Sequence, residues 1–158
     1  MSRSPDVAAA LSEARSSPEA VLDHIAPGAD VLVGLGNAAP QKVLDAIERN
    51  AVGLEDVRLH QMLPLRPRDY IAGSVDGLRH VSWFLSPHDR DAFNSGHCDL
   101  VPNNFSEVPR LMKMSTKRSL VIAASAPPDG HGYFSLGLHG KYTAAMIGEV
   151  PFFIEANA

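Results

Sequence analysis

The sequence has a single cysteine, Cys98, in 158 residues, so no intrachain disulfide can staple the fold, and a reducing compartment is the natural setting. That points to the cytoplasm. Long apolar runs are also missing. No stretch approaches the roughly 20 residues that span a bilayer, and the opening Met1 to Asp6 leads into no signal-peptide core. With a net charge of -4 and no block of like charges, the chain offers no basic surface for nucleic acid or anionic lipid. Neither nucleic acid nor membrane is an expected partner. The seven histidines, His24, His60, His80, His88, His97, His131 and His139, show no HExxH spacing and pair with no second cysteine, so no metal site is expected. Ser135 has no Gly-x-Ser-x-Gly around it, which argues against a hydrolase nucleophile elbow. His97 beside Cys98 points away from it if both lie in a strand.

What is present is ordinary for a globular domain: 45% hydrophobic and 20% charged residues, on a chain long enough to bury one core. No repeat, low-complexity tract or linker divides residues 1–158, and residues 1–25 form a helical lead-in. Alanines and Leu11 give a helical pattern over 5–14, and Ser17-Pro18-Glu19 supplies an N-cap and a first-turn proline for a second helix that Pro27-Gly28 ends. Val31 to Gly34 reads as a strand covered on both faces. From Pro40, Val43, Leu44, Ile47 and Ala51 share a helical face, with Gln41, Lys42, Asp45, Glu48 and Arg49 outward.

Further strands are expected at Val57 to Leu63, His80 to Leu85, Leu100-Val101, Leu120 to Ala124 and Pro151 to Ile154. Helices are expected around 89–95, from an Ser106 N-cap through Met114, and from Lys141 to Ile147 with Gly148 closing it. Alternating strands and helices with short links predict an α/β fold, an open, mostly parallel sheet flanked by helices. The last apolar strand runs into Glu155-Ala156-Asn157-Ala158 and stops. It reads either as a cut chain or as a docked terminal strand.

Ligands in such sheets bind where strands end and helices begin. Gly34-Leu35-Gly36-Asn37-Ala38-Ala39-Pro40 lies at such a point. Its glycines permit close backbone approach to a ligand, and the helix beyond offers amides to an anion or carbonyl oxygen; equally, they could serve only a tight turn. Gly34, Gly36 and Ala39 also fit a relaxed dinucleotide fingerprint, but Glu55 and Asp56 precede the second strand instead of ending it. A stand-alone nucleotide- or cofactor-binding α/β module is the alternative reading. The second segment, Ser125 to Gly137, begins with a Pro-Pro-Asp-Gly turn, yet Gly132, Ser135 and Gly137 extend it beyond what one reversal needs. Both segments follow parallel strands, so they should face one cleft. Valine at Gly36 or Gly137 is expected to impair turnover with the fold largely intact, unless either glycine has a positive φ.

Together these segments resemble the acetyl-CoA hydrolase/transferase family, which includes acetate and 4-hydroxybutyrate CoA-transferases. The most specific part is Ala126 to Gly137, similar to the family's Pro-x-Asp-x-x-Gly-x-x-Ser-Leu-Gly signature. Gly34 to Pro40, Arg90 with Asn94 and Gly96, Pro102 to Pro109, and Ile154 to Asn157 support it. The resemblance implies one of the two similar domains of a CoA-transferase fold, with the active site in the cleft between them. A glutamate of the C-terminal domain attacks an acyl-CoA thioester there, and CoA passes to a carboxylate or the acyl group to water. None of Glu13, Glu19, Glu48, Glu55, Glu107, Glu149 or Glu155 matches that glutamate's motif, so no catalytic residue is expected in this chain.

The resemblance makes Gly34, Gly36, Asn37, Ala38, Gln61, Asp129, Gly132, Ser135 and Gly137 the candidate substrate contacts; Glu155, near the cleft by its position at a strand end, is read as a structural or supporting residue. It implies coenzyme A thioester as substrate with no permanently bound cofactor. The implied partners are acyl-CoA, a small carboxylate, the C-terminal catalytic domain in cis or on another chain, and further copies in a homo-oligomer. The face bearing Gly34 to Pro40 and Tyr133 to Leu138 should then carry exposed apolar groups that meet the second domain.

Overall fold

A computed structural model describes residues 5–137 and 140–157. Leu138 and His139 therefore lie outside the described residues. Helix α1 (Pro5–Glu13) leads in, followed by a turn of 3-10 helix over Pro18–His24. The expected second α-helix is thus 3-10, with Pro18 in its first turn and no side-chain cap from Ser17.

Strands β1 (Asp30–Val33), β2 (Val57–Met62), β3 (Leu78–Phe84), β4 (Cys98–Leu100), β5 (Ser119–Ser125) and β6 (Phe152–Ala156) form one sheet in the order β4-β3-β2-β1-β5-β6. Every described pairing is parallel. The order runs outward from β1 in one direction to β4 and in the other through β5 to β6, so the topology switches between β1 and β5.

Period-two alternation divides the apolar residues between two layers. Val31, Val33, Leu59, Leu120 and Ile122 face helix α2 (Gln41–Arg49) and helix α3 (Asp69–Ala72), packing with Val43, Leu44, Ile47, Tyr70 and Ile71. Leu32, Trp83, Val121 and Ala123 face helices α5 (Val108–Ser115) and α6 (Lys141–Ala144), meeting Val108, Met112, Tyr142 and Met146. All four residues of β1 are buried, as its apolar run predicts.

Several boundaries differ from the sequence expectation. Helix α3 has only four residues, too short for its periodicity to be legible; α4 (Arg90–Asn94) falls where a short helix was expected. Ser106 is not an N-cap: it lies within a 3-10 turn, Phe105–Glu107, that runs into α5, and Pro109 occupies the first turn of that helix. Helix α6 stops at Ala144, three residues before the expected end, and Gly148 follows with φ 81°. Strand β4 begins at Cys98, so the His97-Cys98 pair straddles its start.

Candidate functional site

The carboxyl ends of β1 and β5 open at the switch point, where parallel sheets bind ligands. After β1 the chain makes one 3-10 turn, Gly36–Ala38, before α2 begins. A Cβ at Gly34 would collide with the Ala38 carbonyl oxygen, so Gly34 is required by the tightness of this turn. Gly36 and Gly137 have φ of 54° and 60° with open space where a Cβ would stand. Their requirement is the left-handed backbone rather than room. The Tyr142 hydroxyl donates to the Val33 carbonyl and ties α6 beneath the turn.

The two sequence-predicted loops meet. A cavity of about 250 Å³ is lined by Asn37 and Ala38 after β1, Ala124 and Ala126 at the end of β5, and Ser135 and Gly137 from the loop beyond. Ser135 stitches this loop down, since its carbonyl accepts from the Ala126 amide at 3.1 Å and its Oγ from the Gly137 amide at 3.2 Å. Asp129 lies off the cavity wall and braces the turn. Its Oδ1 accepts from the amides of His131 at 2.8 Å and Tyr133 at 3.0 Å, and the Tyr133 and His131 amides hold its carboxyl below the usual carboxylate range. Gly132 has φ 88° and donates its amide to the Asp129 carbonyl at 3.0 Å. Gln61 is not brought to the cavity. It is buried, and its Oε1 accepts from the Tyr70 hydroxyl at 2.6 Å.

The first turn of α2, expected to offer amides to a ligand, is occupied. Glu155 Oε2 accepts from the amides of Lys42 at 2.8 Å and Val43 at 3.1 Å. This carboxylate stands where a dinucleotide phosphate would sit, so Glu155 has a structural role as the cap of α2. Around the same edge Leu63 and Leu65 beyond β2, Phe84 at the end of β3, and Tyr133 and Phe134 are exposed, Tyr133 at 75%. A larger cavity of about 510 Å³ lies beside β6 and α1.

Two buried polar networks escaped the sequence reading. Asp30, at the amino end of β1, accepts from Arg58 at 2.7 Å, the Lys117 amide at 2.5 Å and His60 Nε2 at 2.9 Å. His60 Nδ1 accepts from Trp83 Nε1 at 3.0 Å, which puts the imidazole proton on Nε2. Burial pushes the Asp30 carboxyl up, but these donors outweigh it and hold it low.

In the second network His80, Asp89 and Cys98 bring ligand-type atoms within 4.8 Å of one another. Their spacing matches no metal motif, so only the pairing of His80 with Cys98 across β3 and β4 assembles them. Asp89 accepts from Ser82 Oγ at 2.8 Å, the Ser86 amide at 2.5 Å and His80 Nε2 at 3.3 Å. Burial pushes the Cys98 thiol up to about 11. A neutral thiol and a carboxylate already supplied with donors make this a latch between β3, β4 and α4.

The pattern of the acetyl-CoA hydrolase/transferase N-terminal domain matches residues 12–151. The chain belongs to this family. It is 35% identical over 94 residues to the succinyl-CoA:cyclohexane-1-carboxylate CoA transferase of Geobacter metallireducens, covering 60% of this chain and 22% of that protein. It is 31% identical over 108 residues to the 4-hydroxybutyrate coenzyme A transferase of Clostridium kluyveri, covering 66% and 25%. The chain thus matches about a quarter or less of the length of these relatives. Among solved structures, RipA from Yersinia pestis superposes with a TM-score of 0.80 at 25% identity, over 96% of this chain and 38% of that one. The 4-hydroxybutyrate CoA-transferase of Porphyromonas gingivalis shares the fold with a TM-score of 0.55 at 22% identity, over 94% and 41%. In this family frame, the switch-point cavity has no glutamate on its wall. Among the described residues, no helix is long and apolar enough to cross a membrane.

Proposed function

We propose that this chain is the N-terminal half of an acyl-CoA:carboxylate CoA-transferase or acyl-CoA hydrolase, one of two similar α/β domains, forming one wall of the active-site cleft. The observation that carries the reading is the meeting of Asn37, Ala38, Ser135 and Gly137 around one cavity at the switch point of a sheet that belongs to this family. The exposed Leu65, Phe84 and Tyr133 at the same edge supply apolar surface for the second half to cover.

In this reading a glutamate of the other half attacks the thioester carbonyl and expels CoA thiolate, leaving an acyl-glutamyl anhydride. The thiolate then attacks the glutamyl carbonyl of the anhydride, releasing the donor carboxylate and leaving a glutamyl-CoA thioester. An acceptor carboxylate repeats these steps in reverse; water in its place gives hydrolysis. A carboxylate is a weak nucleophile, so the cleft must exclude water and hold the acyl group in line. Asn37 and Ser135 orient the acyl oxygen, Ser125 lines the same cavity with its hydroxyl donating to the Ala126 carbonyl at 2.8 Å, and Ala38, Ala124 and Ala126 form the apolar wall. Coenzyme A enters as the substrate thioester, with a small carboxylate as acceptor. The other half is joined in cis or supplied by another chain, the assembly is a homo-oligomer, and its compartment is the cytoplasm.

The test mixes the 158-residue chain with the remainder of the Clostridium kluyveri relative, beginning just beyond the quarter of its length that this chain matches. Acetate-dependent CoA transfer should arise in the mixture and be absent from either part. Turnover by this chain alone would mean that it carries its own nucleophile.

A further inference from the structure

Beside the switch-point cavity lies another, of about 310 Å³, and Asn37 is on the wall of both. Gly36 and Ala39 of the turn after β1 line it, with Leu65 and Arg66 of the loop that leaves β2, and Gln41 and Asn157 complete the wall. Arg66 carries the only charge among these residues.

The sequence sets that loop firmly. The β2–β3 register shifts between Gln61 and Met62, Leu63 takes a left-handed φ of 52°, and Pro64 and Pro67 fix the backbone on either side of Leu65 and Arg66. An irregularity at a strand end re-aims the chain that follows, and a non-glycine residue at positive φ is retained where it positions side chains. The two residues placed on the cavity are one apolar and one cationic.

Neighbouring charges leave Arg66 available. Asp45 Oδ1 is shared, accepting from Arg66 Nη2 at 2.8 Å and lying 2.9 Å from Arg68 Nη1. Arg68 is buried, its guanidinium held by Glu48 at 2.9 Å and by the Gln41 side-chain oxygen at 3.0 Å. Gln41 in turn donates to the Ala39 carbonyl at 3.0 Å, so both side chains are occupied within the fold. Arg66 differs. Its side chain is half-exposed, and among the described residues only its Nη2 has a bonding partner, which leaves N–H donors on Nε and Nη1 for a ligand.

We propose that this second cavity takes the far end of the acyl chain and that Arg66 binds a carboxylate there, so that the enzyme prefers dicarboxylic acids. The inference rests on the split-enzyme reading above and names its substrate class. With the thioester end against Asn37 and Ser135, the methylene chain passes Ala39 and Leu65 and the free carboxylate meets Arg66. The carboxyl that forms the thioester has lost its charge, so only a second one can pair with a cation at the far end. A monocarboxylic acyl group would instead press an apolar tail against a guanidinium and strip its water without compensation.

One arm of the test uses the chain alone, with succinate against butyrate and the ionic strength held constant with sodium chloride. Succinate should produce a saturable NMR shift at Arg66 Nε–H and the Asn37 side-chain amide, at least about tenfold tighter than butyrate. Arg66→Met should abolish that difference with an unchanged urea midpoint, because Asp45 keeps Arg68 as a partner. The other arm mixes the chain with the remainder of the Clostridium kluyveri relative. There Arg66→Met should lower kcat/KM at least about tenfold for succinate as acceptor, chiefly through KM, and less than about threefold for butyrate, with partial recovery in Arg66→Lys.

No saturation by succinate up to about 100 mM, or equal affinity for the two acids, overturns the inference and leaves the functional reading standing if CoA transfer appears. Selective binding without CoA transfer does the reverse. A loss in Arg66→Met that is equal for succinate and butyrate would assign the guanidinium to a phosphate of coenzyme A and overturn the proposed substrate class.

Discussion

Glu155 reaches from the end of β6 to the first turn of α2, where its Oε2 accepts the amide of Lys42 at 2.8 Å. Its second bond, from the Val43 amide at 3.1 Å, makes this carboxylate the cap that Pro40, just before the helix, cannot provide. An anion here also meets the positive end of the helix dipole. Glu155→Ala should therefore cost about 1 kcal/mol in urea denaturation, and Glu155→Gln less, because the amide keeps an acceptor oxygen. An unchanged midpoint in both would show that water caps the helix equally well.

Acid should act through Asp30 and Asp89. Both carboxyls are buried yet held below the usual range, because His60, the Lys117 amide and Arg58 for the first, and His80, Ser82 and the Ser86 amide for the second, outweigh the cost of burial. A depressed folded pKa contributes stability that is fully present above the ordinary value near pH 4 and disappears as pH falls through the lowered one. Urea midpoints should thus be flat above about pH 5 and fall below about pH 4. Asp30→Asn should cost roughly 2 kcal/mol at neutral pH and flatten that acid limb.

Cys98 should behave as an inert core residue. It is 3% exposed, and burial pushes its thiol up to about 11, so little thiolate exists at pH 8. Native protein should resist iodoacetamide at that pH, while protein in urea should be labelled at this single cysteine. Rapid labelling of folded protein would indicate that the β3–β4 side opens locally.

What was legible in the sequence follows from the range of the interactions. Strands β1 and β5 are buried on both faces, so their apolar runs were distinct, and α2 could be read from the spacing of Val43, Leu44 and Ile47. The shared cleft was also legible, because parallel strands deliver their ends to one edge and the glycines mark the turns. Gln61 illustrates the limit. Its place at the end of β2 was visible, but its direction depends on Tyr70, which approaches from a four-residue helix without a readable period. The Asp30-His60-Trp83 and His80-Asp89-Cys98 groups were equally hidden, since each is assembled across strands whose register no local pattern discloses.

The last prediction separates the cavity's chemistry from its scaffolding. Asn37 is exposed beside Gly36 and lines the switch-point cavity, so Asn37→Ala removes a polar group without opening the core. Its stability should stay within about 0.5 kcal/mol. Turnover of the reconstituted enzyme should fall about tenfold, equivalent to about 1.4 kcal/mol of lost orientation in the transition state. Glycine variants should fail differently. Gly34→Ala meets the Ala38 carbonyl and must move the turn. Gly36→Val and Gly137→Val force a β-branched residue into the left-handed region, at a cost of about 1 to 2 kcal/mol each. Their lost activity should therefore come with a lowered urea midpoint, the alternative that the sequence reading tied to a positive φ at these glycines. Comparing the two classes in one reconstituted assay makes the distinction measurable. If Asn37→Ala keeps full kcat and KM while the glycine variants lose activity only in proportion to unfolded protein, the cavity is a structural hollow and the orienting role assigned to Asn37 is wrong.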